Sequence, residues 1–273
     1  MAEQQFPHYI EFRHVYKTFD KPVLVDSNFY VDPGQTVAII GRSGVGKSVS
    51  LQHIMGFLKP DQGQVIVANE DITHFSEAEL NRIRRKVTMV FQSGALFDSL
   101  TVAENISFSL ELREDYDEKN KDDVVEGLLK MVDLWDARDS YPGDLAMGYR
   151  RAIAIARALA AQPQCVLYDE PTTMVDPIMS DDLTRLMLRL KKELKLTSIV
   201  VTHDLDLLNR VADTVVFLHQ GKVVFFGPPK ELYKSSDPFI QQFLELDRII
   251  RGGNLPENDP FRSGLAGPET AEF

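Results

Sequence analysis

Residues 36–40, 165–168 and 198–202 are short runs apolar on both faces, and each gives way to glycine or a polar residue and then to a helical pattern. Runs of that kind suit buried strands of a parallel sheet, and the strand-then-helix succession predicts an α/β fold. Residues 9–19, 23–31, 64–67 and 223–226 instead alternate apolar and polar positions, the pattern of half-exposed antiparallel strands. From about residue 100 to 161 the pattern is mostly helical; within it Val124, Val125, Leu128, Leu129 and Val132 fall at helical spacing over 122–132. The expectation is one α/β core with a small β layer and a helical insert. Residues 238–250 predict an amphipathic helix carrying Phe239, Ile240, Phe243, Leu244, Leu246 and Ile249. After Arg251, the breakers Gly252, Gly253, Pro256, Pro260, Gly264, Gly267 and Pro268 predict an unstructured tail.

Composition narrows the partners. The 273 residues carry 30 Lys and Arg against 41 Asp and Glu, a formal net charge of −11. An acidic balance argues against nucleic-acid binding and against autonomous docking on anionic lipid. Cys165 is the single cysteine, so no intramolecular disulfide forms, and it reads as a small buried hydrophobe. No apolar run reaches the ~18 residues of a membrane-spanning helix. Residues 1–5 lack the basic and apolar regions of a secretory leader. A cytoplasmic chain is expected, with any membrane role coming through a partner.

The strongest chemical signal is Gly41-Arg42-Ser43-Gly44-Val45-Gly46-Lys47-Ser48, which fits the phosphate-binding pattern G-x-x-x-x-G-K-[ST] between a predicted strand and a predicted helix. Glycines let the backbone aim its N–H groups at phosphate oxygens, and the following helix adds its N-terminal partial charge. Lys47 is expected to reach the β- and γ-phosphates and the Ser48 hydroxyl to bind Mg²⁺. Asp169 and Glu170 end the apolar run 165–168, where α/β sheets bind ligands. Asp169 suits Mg²⁺ through water, and Glu170 suits a general base. His203 ends another run, and Gln92 follows the run 87–91. The basic cluster Arg82, Arg84, Arg85 and Lys86 reads as a solvated helix end favoured by the macrodipole.

In order and spacing, these residues resemble the ATPase subunit of an ATP-binding cassette (ABC) transporter over about residues 8–250. The resemblance implies a P-loop NTPase fold with a RecA-like core, an antiparallel β subdomain and a helical subdomain at about 93–162. The cassette would occupy 1–250, with 251–273 a disordered or partner-binding extension in which Phe261 is a candidate anchor. It implies ATP and Mg²⁺ as ligands, with Gly41, Ser43, Gly44, Val45, Gly46, Lys47, Ser48 and Val49 around the phosphates and Ser48, Gln92 and Asp169 at the metal. Glu170, Gln92 and His203 take the catalytic positions. Phe19, or nearby Tyr16, stands where an aromatic stacks on adenine. Asp176, in Thr173-Met174-Val175-Asp176-Pro177, occupies the D-loop position. Partners implied are a second ATPase subunit, as a homodimer, and an integral membrane permease that docks on 93–100 and holds the chain at the cytoplasmic face of the inner membrane.

More narrowly, residues 91–102 look like the Q-loop region of the ATPase in Mla-type phospholipid transporters, and 237–244 are similar to their C-terminal segment. Such systems move phospholipids or other hydrophobic molecules between bacterial membranes and include a protein with a mammalian-cell-entry (MCE) domain, an indirect partner here. The alternatives are a nucleotide-gated scaffold with little turnover and the ATPase of an importer for another solute. The signature loop departs from the usual Leu-Ser-Gly-Gly-Gln. Here it is Leu145-Ala146-Met147-Gly148-Tyr149. Ala146 lacks the hydroxyl expected to meet the opposite γ-phosphate, whereas Gly148 keeps its N–H. Because Glu170, His203, Gln92 and Asp176 remain, an active ATPase is expected.

Overall fold

The computed structural model describes residues 6–111, 113 and 116–250, so the tail expected after Arg251, with Phe261, lies outside the described residues. Contacts divide the chain into a unit ending at Leu232 and a second beginning at Tyr233, a partition drawn before the boundary expected near residue 250.

In the first unit the strands are β1 (Ile10–Thr18), β2 (Pro22–Val31), β3 (Thr36–Ile40), β4 (Gln62–Val67), β5 (Glu70–Asp71), β6 (Val87–Val90), β7 (Cys165–Asp169), β8 (Thr197–Val201), β9 (Thr214–His219) and β10 (Lys222–Gly227). The α-helices are α1 (Lys47–Ile54), α2 (Glu77–Lys86), α3 (Val102–Leu110), α4 (Lys121–Met131), α5 (Met147–Ala160), α6 (Pro177–Leu194), α7 (Leu205–Val211) and α8 (Pro229–Leu232). The described part of the second unit contains α9 (Pro238–Ile250), the expected helix.

Two sheets form. A four-stranded sheet runs β2-β1-β4-β5 with antiparallel neighbours, and a six-stranded sheet runs β10-β9-β3-β8-β7-β6. Neighbours from β9 through β6 are parallel, and β10 returns antiparallel on β9. The three double-faced runs are β3, β7 and β8 at the sheet's centre, buried on nearly every residue. Their side chains still alternate. Leu167, Ile199 and Val201 join a cluster with β1, β2, β4, α1 and α2, whereas Val166, Tyr168 and Val200 join α3–α7 on the other face. The period of two persists; it is invisible in hydropathy because both faces are covered.

The predicted strand 223–226 is antiparallel as expected, but it edges the six-stranded sheet rather than the small one. The cause is the two-residue turn Gln220-Gly221, both at positive φ, which pairs Lys222 with His219. Asn-Gly-like turns with two left-handed residues match strand twist and fold the chain straight back. The turn also meets β2: the Gly221 carbonyl accepts from the Ser27 hydroxyl at 2.8 Å and the Val25 amide at 2.9 Å. β9, an apolar strand absent from the sequence reading, is the partner this turn requires.

The helical insert is α3–α5, built on the second cluster through Val102, Ile106, Val125, Leu129, Ile153 and Leu159. α2 and α3 start with reciprocal caps, Ser76 with Glu79 and Thr101 with Glu104. At the basic end of α2, read from sequence as a solvated helix end, Arg82, Arg84 and Lys86 are paired locally. Arg82 and Lys86 pair with Glu70, and Arg84 pairs with Glu77 at 2.8 Å while its guanidinium lies over Phe57.

Candidate nucleotide site

β3 delivers the chain to the glycine-rich loop at the C-terminal edge of the parallel sheet. The three loop glycines do different things. A Cβ on Gly41 would fall 2.3 Å from the Leu218 carbonyl oxygen, and one on Gly46 2.7 Å from that of Val23, so these two are excluded from bearing side chains by neighbouring backbone. Gly44, at φ +78, faces open space within 4 Å. The loop is thus pinned at both ends and clear in the middle, where a phosphate needs close approach to backbone. Val45 and Val49 pack against the first cluster.

Lys47 is buried and folds over the loop, donating to the carbonyls of Gly41 at 2.9 Å and Arg42 at 3.1 Å. Its ammonium lies 3.8 Å from Glu170 Oε1. Burial lowers its pKa, against the pull of Glu170 and Asp169. The Ser48 hydroxyl donates to Asp169 Oδ1 at 3.0 Å. Asp169 ends β7, and Glu170 follows at φ +49, its amide bonded to the Val201 carbonyl beside it. A non-glycine residue at positive φ is strained and is found preferentially at functional sites.

Glu170 Oε2 is shared by the Thr173 hydroxyl at 3.0 Å and His203 Nδ1 at 2.9 Å. His203 follows β8 with its side chain 60% exposed, whereas that of Glu170 is 12% exposed. Burial pushes the Glu170 carboxyl up, but the bonds from His203 and Thr173 and the nearby cations outweigh it and hold the pKa below its usual value. Asp169 moves the opposite way, raised by burial and by Glu170 against the Ser48 bond. The hydrogen bond to Glu170 raises the pKa of His203. The two neighbouring carboxylates thus shift in opposite directions.

These contacts join Lys47, Ser48, Asp169, Glu170 and His203 into one network. The other expected residues stand outside it. Phe19 is exposed in the turn between β1 and β2, with Lys17 over its ring, whereas Tyr16 is half-buried within β1. Gln92 is exposed two residues beyond β6, whose Val90 pairs with Tyr168 of β7. Asp176 caps α6, accepting from the Ile178 and Met179 amides. Ala146 caps α5 and offers no side-chain acceptor. Gly148 is buried, and a Cβ there would meet Met179 Cβ at 2.7 Å. Besides its backbone N–H, Gly148 provides close packing on α6.

Thr173 was not singled out from sequence. Its signal was a hydroxyl three residues beyond the acidic strand end, legible only once the intervening turn is known. Among the described residues no group of three or more His, Cys, Asp or Glu side chains forms a metal cage. Mg²⁺ in a nucleotide site takes few protein ligands and keeps waters and phosphate oxygens. The Ser48–Asp169 pair beside the open loop fits such an ion.

A P-loop opening from β3 of a parallel sheet, with paired carboxylates at the end of β7 on the far side of β8, defines a nucleoside-triphosphatase. The ABC transporter family profile matches residues 24–173, and the chain belongs to that family. It is an ABC ATPase, and its ligands are ATP and Mg²⁺. It is 36% identical over 250 residues to a methionine import ATP-binding protein of Pseudomonas entomophila, covering 89% of this chain and 75% of that one. It is 39% identical to a sulfate/thiosulfate import ATP-binding protein of Synechocystis, covering 86% and 65%. A dimeric ATP-binding cassette solved in a post-hydrolysis state with ADP and Pi matches at TM-score 0.75 and 30% identity, covering 81% of this chain and 98% of that one. The cassette cbiO1 of Clostridium perfringens, part of the transporter complex cbiONQ, matches at TM-score 0.77 and 28% identity, covering 89% and 98%.

Proposed function

We propose that this ATPase energises the movement of phospholipids or other hydrophobic molecules between bacterial membranes, as one of two copies bound to an integral membrane permease at the cytoplasmic face. The observation that carries catalysis is the convergence of Lys47, Asp169, Thr173 and His203 around Glu170. Lys47 exchanges two backbone carbonyls for phosphate oxygens, helped by the amides from Ser43 to Ser48. Ser48, Asp169 and Gln92 hold Mg²⁺, which supplies charge neutralisation on the phosphates. Glu170, kept ionised, takes the proton of the attacking water, and His203 orients it and reaches the γ-phosphate. Phe19 stacks on adenine. Ala146, Gly148 and Asp176 serve the nucleotide held by the second copy, as the dimeric solved relative suggests.

Among the described residues no helix is long and apolar enough to cross a membrane, so attachment runs through the permease. A groove of about 770 Å³ lined by Phe57, Phe91, Phe97, Phe108 and Arg157 supports that docking and includes part of the expected 93–100 segment. Membership of the cbiO1 relative in a multisubunit transporter supports the same assembly.

The lipid cargo rests on the likeness of 91–102 and 237–244 to Mla-type ATPases, with an MCE-domain protein as the indirect partner. A second reading, an importer of a small polar solute, is favoured by the names of the methionine and sulfate relatives. The test uses the chain with its co-purified membrane partner in proteoliposomes. The lipid reading expects Mg-ATP-dependent transfer of labelled phospholipid to acceptor vesicles, lost in Glu170→Gln. ATP-driven uptake of labelled methionine or sulfate without lipid transfer replaces it with the importer reading.

A further inference from the structure

α5 carries two desolvated arginines whose hydrogen bonds go to backbone carbonyls rather than to carboxylates. Arg151 is only 2% exposed, and its Nε has no hydrogen-bond partner. Its Nη1 donates at 2.9 Å to the carbonyl of Phe91. Arg157 is half-buried; Nη1 donates to the Ala95 carbonyl at 2.7 Å and Nη2 to the Gly94 carbonyl at 3.2 Å, with the guanidinium 5.9 Å from the Phe97 ring centre. Among the described residues neither makes an ion pair, and burial lowers the pKa of both. Burying a cation without an ion-pair partner is costly, and Asp169 offsets only part of that cost at Arg151, so what these two hold requires an explanation.

All three carbonyls belong to one turn. The Phe91 carbonyl also accepts from the Gly94 amide at 2.8 Å, and Gly94 and Ala95 both lie at positive φ. Gln92 sits inside that turn, between the two grips. Both grips come from the helix whose N-terminus is Ala146–Gly148. We propose that Arg151 and Arg157 are positioning residues that lock the 91–95 turn to α5, so that Gln92 and the N-terminus of α5 move as one piece. The inference rests on the reading of Gln92 as a Mg²⁺ and water ligand. It makes the angle of α5 the determinant of where that ligand stands.

The two arginines differ in a way that sharpens the test. Arg157 uses a planar fork on two carbonyls, which a lysine cannot reproduce; Arg151 uses one N–H, which a lysine supplies. The experiment measures steady-state Mg-ATP turnover of the full chain for Arg157→Met, Arg157→Lys, Arg151→Met and Arg151→Lys, alone and combined with Gln92→Ala. Arg157→Met is expected to lower kcat by roughly ten- to hundredfold, the cost of misplacing a group by about an ångström, with KM for ATP little changed. Arg157→Lys falls with it, and Arg151→Lys retains most of the turnover lost in Arg151→Met.

In the Gln92→Ala background, Arg157→Met should cost almost nothing more, because the clamp acts through Gln92. Multiplicative losses in the double variant overturn the proposal. If Gln92→Ala alone leaves turnover unchanged, the reading of Gln92 fails, and amide exchange decides the clamp by itself. Arg157→Met should speed exchange at Ser93–Leu96 by about tenfold through local opening, whereas unchanged exchange there overturns it.

Discussion

At the start of α1 the chain places Lys47, Ser48 and, from β7, Asp169 and Glu170 beside an open glycine; at the start of α5 it places Ala146, Met147 and Tyr149 over a glycine that is packed shut. Neither helix has a side-chain cap, so both leave orphan N–H groups for a ligand. The α1 end adds full charges, each hydrogen bond to a charged group being worth about 1.5–3 kcal/mol. The α5 end adds only amides and the macrodipole, about 0.3–1 kcal/mol at an exposed terminus. The proposed reading therefore puts affinity on the α1 side and placement on the α5 side. Gly148 against Met179 and the arginines on the 91–95 turn are the proposed means of that placement.

The largest test of this asymmetry is Lys47→Ala. Losing at least one charge-assisted phosphate contact is expected to weaken ATP binding by roughly a hundredfold, read by nucleotide titration. Retained affinity would shift the binding energy to the α5 side. Next is Gly148→Ala. Helix propensity alone predicts a gain of about 1 kcal/mol. The overlap with Met179 Cβ predicts the opposite sign, a loss of about 1–3 kcal/mol, and thermal unfolding distinguishes the two.

Thr173→Val acts on protonation. Glu170 works as a base only when ionised, so activity falls as pH drops through its pKa. Removing a hydrogen bond to the ionised form raises that pKa, and the acid limb of the kcat profile should move to higher pH, with Thr173→Ser restoring it. An unmoved limb would detach Thr173 from the base. The smallest effect is Ala146→Ser, which supplies the missing cap and should stabilise the fold by about 1 kcal/mol, together with a modest rise in turnover.

Much of this site was legible because its requirements are local. A phosphate loop needs its glycines, lysine and hydroxyl within one strand–helix junction, and the acidic pair announces itself at the end of an apolar run. The central strands were legible for the same reason. What escaped depends on partners far along the chain. β9 and the edge position of β10 follow from a turn whose left-handed residues are Gln220 and Gly221. The shut face of Gly148 is set by Met179, and the purpose of Arg151 and Arg157 by a turn about sixty residues earlier. Thr173 is near Glu170 in sequence, but its donation depends on the positive φ of Glu170.

The central claim is that Glu170, set by Lys47, Thr173 and His203, hydrolyses ATP despite the bare α5 terminus. Its most direct test is steady-state Mg-ATPase activity of the full chain with its membrane partner, wild type beside Glu170→Gln, with ATP binding measured on both. The account predicts equal binding and a loss of turnover in Glu170→Gln of at least about a hundredfold. Binding without turnover in the wild type, or turnover that survives Glu170→Gln, would contradict it.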